Sequence, residues 1–153
     1  MFWACVALMV TGCTTPATEI IVTVTTDFRV PEGLDAVEFA LGPELPTKAR
    51  VKVMSTDDFP LTWVISTGGE TESVAVDVRA MLGNTLLTHA TALRAFKAEA
   101  SRELRVDLWR ACVGASCGAD EYCDKRDGAP VCVSLFDGDA VRPADLDVDG
   151  GTP

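Results

Sequence analysis

Histidine is almost absent from this chain, which has His89 and no other. Triad-type hydrolysis needs a titratable base, so it would have to run through His89. The neighbours Thr88 and Ala90 read as strand, and a residue satisfied at a strand surface is the expectation there. Also missing are a Gly-x-Ser-x-Gly elbow, a phosphate-cradling glycine loop and a His-Glu-x-x-His zinc motif. Carboxylates are plentiful, and Asp57 with Asp58 is the pair to weigh for acid-base work. Adjacent residues of an extended chain point to opposite faces, however, so the two would not flank one bond. A polar turn before Phe59-Pro60 is the plainer reading, and neither an enzyme nor a cofactor is expected.

Positive charge is scarce as well. Against 23 Asp and Glu stand 13 Lys and Arg, a formal net charge of −10. Such a polyanion repels nucleic acid and anionic lipid headgroups, so neither is an expected partner. Long apolar runs are missing too. Met1 to Val10 is apolar but falls well short of the ~20 residues that a membrane-spanning helix needs. It contains no Lys or Arg, and the terminal amine is its one positive charge.

What is present begins with the way that run ends. Val10-Thr11-Gly12-Cys13 resembles the lipobox of a bacterial lipoprotein signal peptide. The resemblance implies a signal peptide over residues 1–12, cleavage before Cys13, and acyl chains carried by Cys13. Each buried methylene contributes about 0.8 kcal/mol to membrane binding, and two or more chains make anchorage stable. Signal peptides of this kind normally start with Lys or Arg; either the terminal amine suffices here or the start codon lies upstream. Thr14, rather than Asp, follows the cysteine, which implies sorting to the outer membrane. Residues 13–18 then form a short polar tether, and Thr14 to Thr18 reach at most about 18 Å.

From Glu19 to Arg110 the dominant signal is alternation with period two, the mark of strands with one buried face. Ile20, Val22 and Val24 alternate with Ile21, Thr23 and Thr25. Val37, Phe39 and Leu41 alternate with Ala36, Glu38 and Ala40, and Val51 and Val53 with Arg50 and Lys52. Leu61, Trp63 and Ile65 follow, then a turn at Gly68-Gly69. Val74, Val76 and Val78 share one face opposite Asp77 and Arg79. After a turn at Gly83-Asn84, Leu86 to Phe96 is ambiguous, with neither parity consistently apolar. Finally Leu104, Val106 and Leu108 face in. Seven short strands in about 90 residues fit an all-β, immunoglobulin-like β-sandwich over 19–110. A four-strand sheet with packed helices is the alternative, with Leu93 to Arg102 as the helical candidate.

The six cysteines sort by position. Cys5 leaves with the signal peptide, Cys13 takes the lipid, and Cys112, Cys117, Cys123 and Cys132 form an even cluster over 111–135, which in an exported protein points to disulfides. So short a segment cannot bury a core of its own, and staples must supply its order. Three pairings are possible and the spacing does not choose among them. A zinc site is the rival, though it usually needs close Cys-x2-Cys pairs that are missing here. The pattern resembles a truncated EGF-like module, and that resemblance implies the crossed pairing, Cys112 with Cys123 and Cys117 with Cys132. Just before it, Trp109 is outward by parity. It either offers a contact to a partner or packs beneath the module and glues it to the sandwich.

Residues 136–153 are acidic, rich in Asp and Gly and without apolar periodicity, so a disordered tail is expected. Asp145, Asp147 and Asp149 match the first half of an EF-hand loop, a weak calcium candidate because the bidentate Glu of position twelve and the flanking helices are missing. Together the lipobox, the sandwich, Arg110-Ala111-Cys112-Val113-Gly114-Ala115-Ser116-Cys117 and the acidic tail resemble the predicted lipoproteins common in myxobacteria and related delta-proteobacteria. That likeness carries no activity or catalytic residue to transfer. If strands alternate in direction, the seventh rises with the first and ends at the pole farthest from the lipid. The expectation is a non-enzymatic, lipid-anchored envelope protein whose sandwich displays the stapled module to a protein or glycan of the envelope. A structural subunit of a larger outer-envelope complex is the alternative.

Overall fold

A computed structural model describes residues 18–42, 46–66, 73–97 and 99–135. Among them run β1 (Glu19–Thr26), β2 (Ala36–Ala40), β3 (Ala49–Lys52), β4 (Leu61–Ser66), β5 (Ser73–Leu82), β6 (Thr85–Ala95), β7 (Ser101–Leu108), β8 (Glu121–Arg126) and β9 (Ala129–Ser134). Three strands form one sheet in the order β4-β1-β7, four form a second in the order β3-β2-β5-β6, and β8 pairs with β9 alone. The first two sheets pack face to face as a sandwich, and the third is the small disulfide-stapled module that follows it. No helix among the described residues is long and apolar enough to cross a membrane.

The core is built by the alternation that the sequence displays. Ile20, Val22 and Val24 of β1, Val37 and Phe39 of β2, Val76 and Val78 of β5, and Leu104, Val106 and Leu108 of β7 join one buried cluster. Trp63 of β4 brings its ring centroid to 5.1 Å from that of Phe39 across the two sheets. Each large apolar side chain sealed in this way contributes about 1.5 to 3 kcal/mol.

In strand number and size the sandwich is immunoglobulin-like, but its strand order is different. An immunoglobulin domain pairs its first two strands in one sheet. Here β1 and β2 lie in opposite sheets, and β1 is flanked by β4, antiparallel to it, and β7, parallel to it. The parallel pairing runs from Glu19 opposite Ser101 to Thr26 opposite Leu108 without a slip. The two strands therefore start at one pole of the sandwich and end together at the other.

The ambiguous stretch is strand, not helix. β6 takes Thr85 to Ala95, and β7 begins at Ser101. Its parity is confused because the β5–β6 ladder shifts between Ala80 and Met81, leaving Leu87 as an extra residue in β6. Beyond that bulge each side chain changes face. Thr88, Ala90 and Ala92 then lie opposite Ala80, Val78 and Val76 on the core side.

Candidate functional site

Two polar constellations, one on β5 and β6 and one between the sandwich and the module, are the candidates among the described residues. The first centres on Asp77. Val76 and Val78 of β5 face the core, so Asp77 belongs to the outer face, yet it is 0% exposed. Its direct neighbours across the sheet are Ala40 of β2 and Thr91 of β6, both buried. The longer side chains of Arg79 and His89 reach back to it. Arg79 donates Nε to Oδ2 at 2.6 Å, His89 sets Nδ1 2.8 Å from Oδ1, and the Thr91 hydroxyl donates to Oδ1 at 3.0 Å. A buried carboxylate must be answered by donors in this way or be neutralised.

The balance of these effects sets both ionisations. Burial pushes the Asp77 pKa up more than any other single influence, but the hydrogen bonds from His89, Arg79 and Thr91 together overcome it, and the net direction is down. The hydrogen bond to Asp77 raises His89 against the opposing effect of burial. An Asp–His pair is the base-orienting half of a triad. Among the described residues no hydroxyl or thiol is hydrogen-bonded to the His89 ring, and its only hydrogen bond is the one to Asp77. The cluster is an ionic clasp between β5 and β6.

The second constellation joins the sandwich to the module. Asp27, just past β1, accepts the Arg110 amide at 2.6 Å on one oxygen and the Lys125 ammonium at 2.7 Å on the other. The same ammonium lies 3.9 Å from the centroid of the Trp109 ring, and Trp109 Nε1 donates to Asp124 at 2.9 Å. Trp109 is half-buried in this contact, packed beneath the module. Burial works to raise the Asp27 pKa, but the Arg110 amide and the Lys125 ammonium outweigh it and hold it below the usual value.

Within the module, Cys112 bonds to Cys123 and Cys117 to Cys132, with Cα–Cα distances of 5.9 and 5.6 Å. Cys123 and Cys132 are directly opposite in the β8–β9 ladder. Opposite residues point to one face, so the segment from Cys112 to Cys117 is stapled across that face of the hairpin. Cys112 and Cys123 are buried, and Cys132 is exposed. The hairpin turns at Asp127 and Gly128, both at positive φ, 51° and 82°, the pairing that a type I′ turn demands. Glu121 lies within 4.8 Å of the sulfurs of Cys117 and Cys132; both are in a disulfide, so neither is a thiolate that could bind zinc.

The remaining expected residues fall as follows. Asp57 and Asp58 lie in a 3₁₀ turn, Thr56–Asp58, rather than an extended segment. Asp58 turns back to accept the amides of Met54 and Ser55, which lower its pKa, and forms the capping box with Ser55, whose hydroxyl accepts the Asp57 amide. Cys13, Asp145, Asp147, Asp149 and the Gly68-Gly69 turn lie outside the described residues. Of the residues in these constellations, sequence singled out His89 and Trp109; Asp27, Asp77, Arg79, Thr91, Asp124 and Lys125 were not read as partners. Only the Asp127-Gly128 dipeptide between β8 and β9 gave a local signal, since Asp-Gly between two strand-like runs marks a tight hairpin. No protein family, no curated protein and no solved structure matches the chain.

Proposed function

We propose that this chain is a non-enzymatic, lipid-anchored protein of the bacterial envelope, whose sandwich holds the stapled module away from the membrane to bind a protein or glycan. The observation that carries the reading is the unslipped parallel pairing of β1 and β7. A lipid on Cys13 fixes the pole where β1 begins. The module leaves from the pole where β7 ends, eight strand residues farther on, a rise of about 23 Å. The clasp of Asp27, Trp109, Asp124 and Lys125 supports it further, because a module held on several polar contacts keeps one orientation. The hairpin tip from Arg126 to Pro130 and the segment from Val113 to Ser116 are exposed and make its contact surface.

The test is an intact mass of the native protein extracted from membranes, before and after reduction. The expected result is loss of residues 1–12, added acyl mass, and a gain of about four hydrogens on reduction, two per disulfide. An unmodified N-terminus would overturn the anchored reading. Stable co-extraction with a neighbour in fixed ratio would replace display by a structural role in a larger complex.

A further inference from the structure

The two disulfides of the module differ in what surrounds them. Cys112 and Cys123 are 2% and 8% exposed. Each of their sulfurs lies 3.6 Å from the Asp124 carbonyl oxygen, at the residue through which Trp109 ties the module to the sandwich. Cys132 is exposed and Cys117 half-buried. A thiolate can therefore reach Cys132 in the folded protein, whereas Cys112–Cys123 becomes accessible only after the junction opens. The exposed disulfide also has a charge at its side. Glu121 and Cys123 share one face of β8, and Cys132 lies opposite Cys123 on that face, so Glu121 is the diagonal neighbour of Cys132. Its carboxylate lies within 4.8 Å of the sulfurs of Cys117 and Cys132. A closed turn holds it there: the Gly118 amide donates to Oε2 at 2.8 Å, and the Glu121 amide donates to the Gly118 carbonyl at 3.1 Å. A Cβ at position 118 would meet Oε2 at 3.2 Å, so glycine lets the carboxylate approach the chain this closely. No ion pair among the described residues neutralises Glu121.

Disulfides are opened by thiolates, and a thiol that gives up its proton less readily is the slower leaving group. A carboxylate beside both sulfurs acts on each step: it repels an incoming anion and disfavours the thiolate that departs. We propose that Cys117–Cys132 is a thiol–disulfide exchange site for a dithiol reductant, and that Glu121 makes it discriminate against anionic thiols. A thiolate of the dithiol bonds to Cys132 Sγ as the Cys117–Cys132 bond breaks, and Cys117 leaves as a thiolate that takes up a proton. The second thiolate of the dithiol then attacks the dithiol's own sulfur in the mixed disulfide, and Cys132 leaves and is protonated in turn. Two electrons and two protons pass to the protein, and the dithiol ends as a disulfide. Cys112–Cys123 keeps the module on the sandwich throughout, while the segment from Val113 to Asp120 is freed from β9. The site does not depend on the lipid anchor.

The test exposes the full chain to dithiothreitol for timed intervals, alkylates the thiols that appear and locates them by peptide mass. Cys117 and Cys132 are expected to be alkylated about tenfold faster than Cys112 and Cys123. With single thiols in place of the dithiol, the first mixed disulfide is expected on Cys132. At matched thiolate concentration, cysteamine, which carries an ammonium, is expected to outpace mercaptoethanesulfonate, which carries a sulfonate. Glu121→Gln keeps an acceptor for the Gly118 amide and removes the charge. It is expected to speed attack by mercaptoethanesulfonate about fourfold, the effect of lifting the repulsion between two unit charges about 5 Å apart in water, and to narrow the preference for cysteamine. In about 1 M salt the parent and the variant are expected to react alike. Equal rates at the two disulfides, a first mixed disulfide on Cys117, or a preference for cysteamine that Glu121→Gln leaves unchanged would each overturn the proposal.

Discussion

A carboxylate sealed between two strands holds its charge only while its donors stay in place, and Asp77 has three of them. The signs of the two shifts fix a pH window. The Asp77 pKa lies below the ordinary 3.8, so its contribution is present above that value and is lost as pH falls through the lower folded value. The His89 pKa lies above the ordinary 6.5, so its contribution is present below 6.5 and is lost as pH rises through the higher folded value. Stability from this clasp is therefore greatest between about pH 4 and 6.5. In denaturant titrations across pH, His89→Gln is expected to remove the alkaline decline and to cost about 1 kcal/mol at pH 5.5. Asp77→Ala is expected to cost about 1 to 3 kcal/mol, because it removes the acceptor of three hydrogen bonds and leaves the buried Thr91 hydroxyl without it. An Asp77→Ala protein as stable as the parent would show that the clasp is ornamental. At the junction, Trp109→Ala removes both the ring under Lys125 and the donor to Asp124. Faster hydrogen exchange throughout β8, with β1 unchanged, is the expected outcome.

Among the elements, β6 shows where pattern reading stops. The other six strands of the sandwich were legible because most of their large apolar residues keep one parity, opposite a face that carries Thr, Arg, Glu and Asp. β6 was not, because its extra residue, Leu87, changes the face two residues after the strand begins. With an unbroken two-residue turn at Gly83-Asn84, His89 would fall opposite Val78 and face the core; the shift at Ala80/Met81 places it opposite Arg79 instead. The Asp77 clasp thus depends on a bulge that no residue type announces, and Asp77 itself read as an ordinary outward acid of β5. The same holds for the junction, where Asp27 and Lys125 are 98 residues apart and meet only because β1 and β7 end together. Deleting Leu87 is expected to close the ladder with His89 still opposite Arg79 and Thr91 still opposite Asp77, and to cost stability because it removes a partly buried side chain that packs against the core. Thermal unfolding would measure it, and a deletion variant that melts with the parent would remove the bulge from this account.

For the whole molecule, order comes from two different sources. The sandwich rests on its apolar cluster, whereas the module rests on disulfides that close sequence separations of 11 and 15 residues, each contributing about 3 kcal/mol in the chain-entropy model. Replacing Cys112 and Cys123 together by Ser is therefore expected to unfold the module and leave the sandwich protected, read as loss of exchange protection in β8 and β9 alone. Simultaneous loss in β1 and β5 would mean that the two share one cooperative unit. Whether the module is carried away from the membrane is read by energy transfer in vesicles bearing the lipidated protein. A fluorophore at Ala129 in the hairpin tip and, in a second sample, at Ser101 would each report distance to a headgroup-labelled lipid. Ala129 is expected to lie farther from the lipid than Ser101 by about 20 Å or more; equal distances, or Ala129 nearer, would rule out display of the module away from the membrane.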